Sequence, residues 1–182
     1  MSGRRVVAPG AIELASGGTF PFQAPWMSEF TVEDVAKGLS QICRFTGQCE
    51  RFYSVAEHSV HCSYIVPKHL ELTALCHDAA EAFLGDVSQP LKALLPDYKA
   101  LESLAEAYVL PKLGARYPLP ADIKRADVEM LALEKMHVLR SLRIWPSLAG
   151  VSQAAARIEH WDPETAAKKW LERYAELGGD NF

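Results

Sequence analysis

Cys76-His77-Asp78-Ala79-Ala80-Glu81, followed by Gly85-Asp86, is the stretch on which the reading of this chain turns. Its neighbours Leu72, Ala74, Leu75, Ala79, Ala82 and Phe83 are small or apolar, the composition of a helix facing a core. An imidazole and a carboxylate set into such a helix need partners, because unpaired burial of charge is costly. A divalent cation is one such partner. Nitrogen and hard oxygen donors together suit Mn, Fe, Co or Zn. On a helix, Glu81 stands one turn beyond His77 and faces the same way, where it can hold or deprotonate a water. Two adjacent ligands do not complete a metal shell. Other donors lie on other predicted helices: His58, and Asp127 in Ile123-Lys124-Arg125-Ala126-Asp127-Val128. Side chains from three helices meeting inside a bundle are a common way to build such a site.

The helical period extends in both directions from this stretch. Thr31 with Asp34 has the form of a capping box, followed by Val32, Val35, Leu39 and Ile42. Ser54-x-x-Glu57 is a second box, opening a helix that Pro67 stops. A helix is expected from about His69 to Leu84, ended by Gly85, then one over about 97–112 and a long one from Ala121 to about Leu142. Asp162-Pro163 starts the last helix and Gly178-Gly179 ends it. Residues 1–30 differ, with Gly and Pro at short intervals; Ala15-Ser16-Gly17-Gly18 centres a small hairpin over 11–22. The expected fold is all-α: a helical bundle over 31–182 with a short N-terminal β-hairpin, one domain over 1–182. Phe20, Phe22, Trp26 and Phe30 read as core, with the alternative that one lines a base pocket. Trp145, Trp161 and Trp170 read as anchors of the last helix.

The 182 residues carry 23 acids against 19 bases, a formal net charge of −4. That balance argues against a long polyanion such as a nucleic acid polymer as partner. It also means that a phosphate would have to be met by a few local cations or a metal. No apolar run reaches the length of a membrane span. The stretch after Arg4-Arg5 is too short for a signal-peptide core, so the expected location is cytoplasmic. Cys43, Cys49, Cys62 and Cys76 form no C-x-x-C pair and read as small buried thiols. His61, His69, His137 and His160 read as structural or surface residues.

The ordered pattern H…HD…D resembles the HD-domain superfamily of metal-dependent phosphohydrolases, and the match goes beyond four ligands. Arg44-Phe45 precedes Phe52-Tyr53-Ser54-Val55-Ala56-Glu57-His58-Ser59; then come His77-Asp78-Ala79-Ala80-Glu81-Ala82-Phe83-Leu84-Gly85-Asp86 and Pro90-Leu91-Lys92. With Lys124-x-x-Asp127, this is similar to the compact bacterial and phage 5′-nucleotidase-like branch over roughly residues 31–140. The resemblance implies His58, His77, Asp78 and Asp127 as ligands of one divalent transition metal, Co, Mn, Zn or Fe rather than Mg. It implies Glu81 as the residue orienting the attacking water, and Asp86 as a carboxylate near sugar and phosphate. Arg44 matches a phosphate-binding arginine. Phe45 stands where relatives often carry Trp, which keeps an apolar wall and loses an indole N–H. Lys92 and Lys124 match basic residues near the phosphate path.

The activity so implied is hydrolysis of deoxynucleoside 5′-monophosphates by metal-activated water, in a homo-oligomer. The rival enzyme reading is a triphosphohydrolase acting on dATP, for which Arg51, Lys92, Lys124 and Arg125 would serve the extra phosphates. A reading of another class is a non-catalytic nucleotide-binding module on a degenerate HD scaffold; the intact ligand set and Glu81 argue against it. Asp78, Glu81, Asp86 and Asp127, with Glu57 beside them, are then expected around one site, where a cation lets an acidic protein take an acidic substrate.

Overall fold

In a computed structural model, residues 7–180 are described; Arg4 and Arg5 lie outside them. The fold is all-α with a short N-terminal β-hairpin, as expected. β1 (Ala11–Glu13) and β2 (Thr19–Pro21) pair antiparallel, with Ile12 opposite Phe20. Then follow α1 (Val32–Gln41), α2 (Val55–Tyr64), α3 (Glu71–Cys76), α4 (Glu81–Leu84), α5 (Gln89–Lys92), α6 (Pro96–Lys112), α7 (Ala121–His137) and α8 (Pro163–Glu176). No helix among the described residues is long and apolar enough to cross a membrane.

The Thr31 cap forms the full reciprocal box with Asp34. Asp34 also accepts hydrogen bonds from the backbone N–H and hydroxyl of Ser16, at 2.9 and 2.6 Å, so one carboxylate starts α1 and pins the hairpin to it. Phe20 of the hairpin stacks on Phe83 of α4 with ring centroids 4.1 Å apart, and Phe30 sits against the same ring. These aromatics are core, while Trp26 is largely exposed. α1 packs against α8, α4 and α2, and α2 against α3, α7 and α8. Trp170 anchors α8 as expected: fully buried, it donates its indole N–H to the Leu75 carbonyl at 3.3 Å.

Three expectations need correction. The helix expected over 69–84 is broken. After α3 the backbone bonds step from the fourth to the third preceding residue, with Ala79 N–H to Cys76 O and Glu81 N–H to Asp78 O both at 2.9 Å. This tightened 3₁₀ stretch changes which residues share a face. His77 and Asp78 therefore sit in a turn, and Glu81 opens a separate short helix, α4. α4 ends at Gly85, whose φ of +80° is open to glycine. The helix expected to reach Leu142 ends at His137, and an irregular connection leads to α8. The Ser54 box is only half formed: Ser54 caps the Glu57 N–H at 3.1 Å, but the Glu57 carboxylate turns to that connection. It accepts the N–H groups of Glu159, His160 and Trp161 at 2.8–2.9 Å.

Gly38 allows α1 to lie directly on α4. A Cβ added there would stand 2.7 Å from the Ala82 carbonyl oxygen and 2.8 Å from its Cβ. Gly38→Ala is expected to destabilise the fold by about 1–3 kcal/mol, the usual cost of overpacking a tight contact, read as a lowered denaturant midpoint in urea. An unchanged midpoint would show that the two helices separate freely.

Candidate metal centre

The site is organised around a residue that the sequence reading did not single out, Glu134. Its side chain is fully buried on α7. One oxygen accepts from the Arg44 guanidinium at 3.1 Å. The other takes the Tyr53 hydroxyl at 2.9 Å and His58 Nδ1 at 2.6 Å. Burial alone would push this carboxyl up; Arg44, His58 and Tyr53 outweigh burial and hold it at about 2. It is therefore an acceptor only, and His58 Nδ1 carries the proton. Burial and the facing carboxylate keep Tyr53 protonated.

This fixes which nitrogen His58 turns to the interior. Its Nε2 points at His77 Nε2, 3.4 Å away. His77 is oriented in the same manner, donating from Nδ1 to the Ala74 carbonyl at 2.7 Å. His77 follows directly on the last residue of α3, three residues after that carbonyl. Each ring thus spends one N–H on a fixed acceptor and aims the other nitrogen at the same point, the outer-shell arrangement that accompanies metal-binding histidines.

Two carboxylates close on that point. Asp78 Oδ2 lies 3.2 Å from His77 Nε2 and 3.6 Å from His58 Nε2. Asp127 Oδ1 lies 3.5 Å from His58 Nε2, while its second oxygen accepts from Lys124 at 2.9 Å. Cys62, one turn beyond His58 on α2, places its sulfur 3.4 Å from the same nitrogen. The thiol was expected to be mere apolar filling. His58, Cys62 and His77 form a buried group whose donors can hold a metal ion.

Electrostatics point the same way. Burial and the Arg44 charge act to lower the proton affinity of His58, yet Cys62, Glu134 and Asp127 raise it well above its ordinary value. Burial would raise the Asp127 carboxyl, but His58, His77 and Lys124 hold it well below the usual carboxylate range. The groups around His58 thus favour its positively charged form.

Of the remaining expected site residues, Arg44 touches the centre directly. Arg44 reaches Asp78 at 3.6 Å as well as Glu134, and its buried Nε has no hydrogen-bond partner among the described residues. Phe45 follows in a left-handed conformation, φ +58°, with its ring 5.6 Å from the Arg44 guanidinium carbon. Glu81 is buried; one oxygen is 3.5 Å from Lys92 and the other accepts no hydrogen bond among the described residues. Burial, then Asp78 and Asp86, raise its carboxyl well above the ordinary range. Asp86 is half-buried and raised by burial and by Asp78. Lys92 bridges Glu81 to Glu102. Lys124 is exposed beyond its contact with Asp127. Glu57, expected beside the site, instead holds the 159–161 backbone and faces His61 at 3.5 Å.

No protein-family model matches the chain. The Escherichia coli K12 protein YfdR is 40% identical over 141 residues, which cover 77% of this chain and 79% of YfdR. The chain belongs to the YfdR family. A second relative, RCAP_rcc00048 of Rhodobacter capsulatus, is 35% identical over 123 residues, 62% of this chain and 63% of that protein. Both relatives are described as uncharacterized, so the chemistry of this YfdR family member rests on its own residues.

Glu134 and Cys62 each carry a signal in the sequence. Glu134 lies seven residues after Asp127, two turns along one helix, so the two share a face. Cys62 is four residues after His58 and shares its face. Glu134→Ala would leave a buried arginine, a tyrosine hydroxyl and an imidazole N–H facing a void. It is expected to cost about 3–5 kcal/mol by chemical denaturation, the range for breaking a buried charge cluster. Glu134→Gln, which retains one acceptor, should cost less.

Proposed function

We propose that this protein is a divalent-metal-dependent phosphohydrolase of nucleotides, acting on deoxynucleoside 5′-monophosphates. The observation that carries the reading is the convergence of two imidazole nitrogens and two carboxylate oxygens, each 3.2–3.6 Å from a neighbour. Donors bound at about 2.1 Å to one ion stand about 3.0–3.4 Å apart, so small adjustments bring this set onto a single cation. His58, His77, Asp78 and Asp127 are the proposed ligands. The mixed N and O set favours Mn, Fe, Co or Zn over Mg. The nucleotide itself comes from the resemblance to HD-domain phosphohydrolases.

A divalent ion at this position supplies a Lewis acid for the phosphoryl group and acidifies water. The protein supplies the rest. Glu81, with one buried oxygen uncommitted and a raised proton affinity, takes up the proton of the attacking water. Arg44, held by Glu134 beside Asp78, complements charge that grows on the phosphate oxygens. Lys92 and Lys124 extend the positive side of the site. Asp86 accepts a sugar hydroxyl, and Phe45 supplies an apolar wall. Water is the nucleophile, so no residue need be covalently modified.

The test is hydrolysis of nucleoside mono-, di- and triphosphates with Mn, Co, Zn and Mg, reading released phosphate, tripolyphosphate and nucleoside. Phosphate from monophosphates supports the reading. Tripolyphosphate from dATP would replace it with a triphosphohydrolase, and no turnover with any metal would leave a binding module. Asp78→Ala is expected to lose metal and activity together; hydrolysis at the wild-type rate would refute the ligand assignment. Glu81→Ala should retain the metal and lose about 10²–10⁴-fold in turnover, the range for a removed general base. Cys62→Ala should keep the metal, measured by elemental analysis of dialysed protein. Loss of metal there would assign the ion to the buried His58, Cys62 and His77 group instead.

A further inference from the structure

Cys43 and Cys49 frame the turn that carries Arg44 and Phe45. The turn is tied at its base. Cys43 forms an isolated antiparallel bridge with Ser54, and the Arg44 N–H donates to the Tyr53 carbonyl at 2.9 Å. Its tip is tightly wound, with Phe45, Thr46 and Gly47 all at positive φ, 58°, 54° and 74°. Of these only glycine takes that conformation readily, so two ordinary residues are held there against their preference. The two sulfurs meet across the turn at 3.3 Å. Both cysteines are half-buried, whereas Cys62 and Cys76 are 1% and 0% exposed. A reagent in solution therefore meets this pair and not the other two thiols. Neither sulfur belongs to the buried His58, Cys62 and His77 group.

We propose that Cys43 and Cys49 are a reversible disulfide site that staples the Arg44–Phe45 turn, formed by exchange with a low-molecular-weight disulfide such as glutathione disulfide. The sulfurs need to close by about 1.3 Å to reach a bond of about 2.05 Å. The step balances without a further oxidant. The Cys43 sulfur gives up its proton and attacks the small disulfide, expelling one small thiolate, which is protonated. The Cys49 sulfur then gives up its proton and attacks the Cys43 sulfur of the mixed disulfide, expelling the second small thiol. Two protein thiols are oxidised and one small disulfide is reduced to two thiols. The order follows from Cys49, whose proton is held up to about 11 by burial and by Cys43 beside it. The staple would remove the freedom of the segment from which Arg44 reaches Glu134 and Asp78.

The full-length protein is equilibrated in a series of glutathione to glutathione disulfide ratios, free thiols are blocked with N-ethylmaleimide, and the chain is digested with trypsin. Cleavage after Lys37, Arg44 and Arg51 separates the two cysteines onto peptides 38–44 and 45–51. The expected result is these two peptides joined, lighter than their sum by two hydrogen atoms, and parted again by dithiothreitol. Cys43→Ser and Cys49→Ser should each abolish the joined species, while peptides bearing Cys62 and Cys76 stay unmodified until the chain is unfolded. The proposal is overturned if both cysteines are blocked by N-ethylmaleimide at every ratio, or if each carries its own glutathione. The measurement needs neither metal nor substrate, so its outcome is independent of the proposed hydrolase activity.

Discussion

A single buried carboxylate, Glu134, holds the centre of this molecule together. It joins α7 to α2 through His58, to the turn before α2 through Arg44, and to the start of α2 through Tyr53. A carboxylate in a dry interior is tolerable only if its oxygens are filled by strong donors, and here three donors fill them. The consequence reaches beyond stability. By claiming Nδ1 of His58, Glu134 decides which ring nitrogen faces His77, Asp78 and Asp127. The Ala74 carbonyl does the same for His77. The donor cluster thus has its orientation set from outside itself, the outer-shell arrangement that accompanies metal-binding histidines.

Charge is distributed in a way that the overall composition hides. The chain is acidic, yet the groups around Asp78 include Arg44, with Lys92 and Lys124 at the flanks. Those cations are largely spent on carboxylates of the site itself. Among the described residues, an oxygen of Glu81 and the buried Nε of Arg44 have no hydrogen-bond partner. Cys62, Glu134 and Asp127 raise the proton affinity of His58 well above its ordinary value, so the surroundings of this ring favour positive charge. A cation held there would make the proposed anionic substrate compatible with the net negative charge of the protein.

Several features were legible in the sequence because local physics decides them. The Thr31 and Asp162 caps bond to the N–H groups three residues on, so their starting positions follow from the residues alone. The turn residues at 15–18 close the hairpin for the same reason. The His77 to Glu81 spacing misled, since it presumes a regular helix, and the 3₁₀ step after Cys76 removes that regularity. Glu57 misled in another way. Its position three residues after Ser54 suggested a reciprocal cap, but three backbone N–H groups from the α7–α8 connection outbid the local one. Those partners lie more than a hundred residues away, and no local pattern announces them.

The sequence by itself determined the helical class, the hairpin, most helix starts and the residue types from which a metal centre can be made, because each depends on spacing along the chain. Only the tertiary structure decided that His58, His77, Asp78 and Asp127 meet, that Glu134 and Cys62 join them, and that Glu57 does not. Meeting depends on how α2, α3 and α7 pack and on where a buried oxygen finds its donors. Such contacts are set by the summed burial and pairing of distant side chains, which a one-dimensional pattern does not contain.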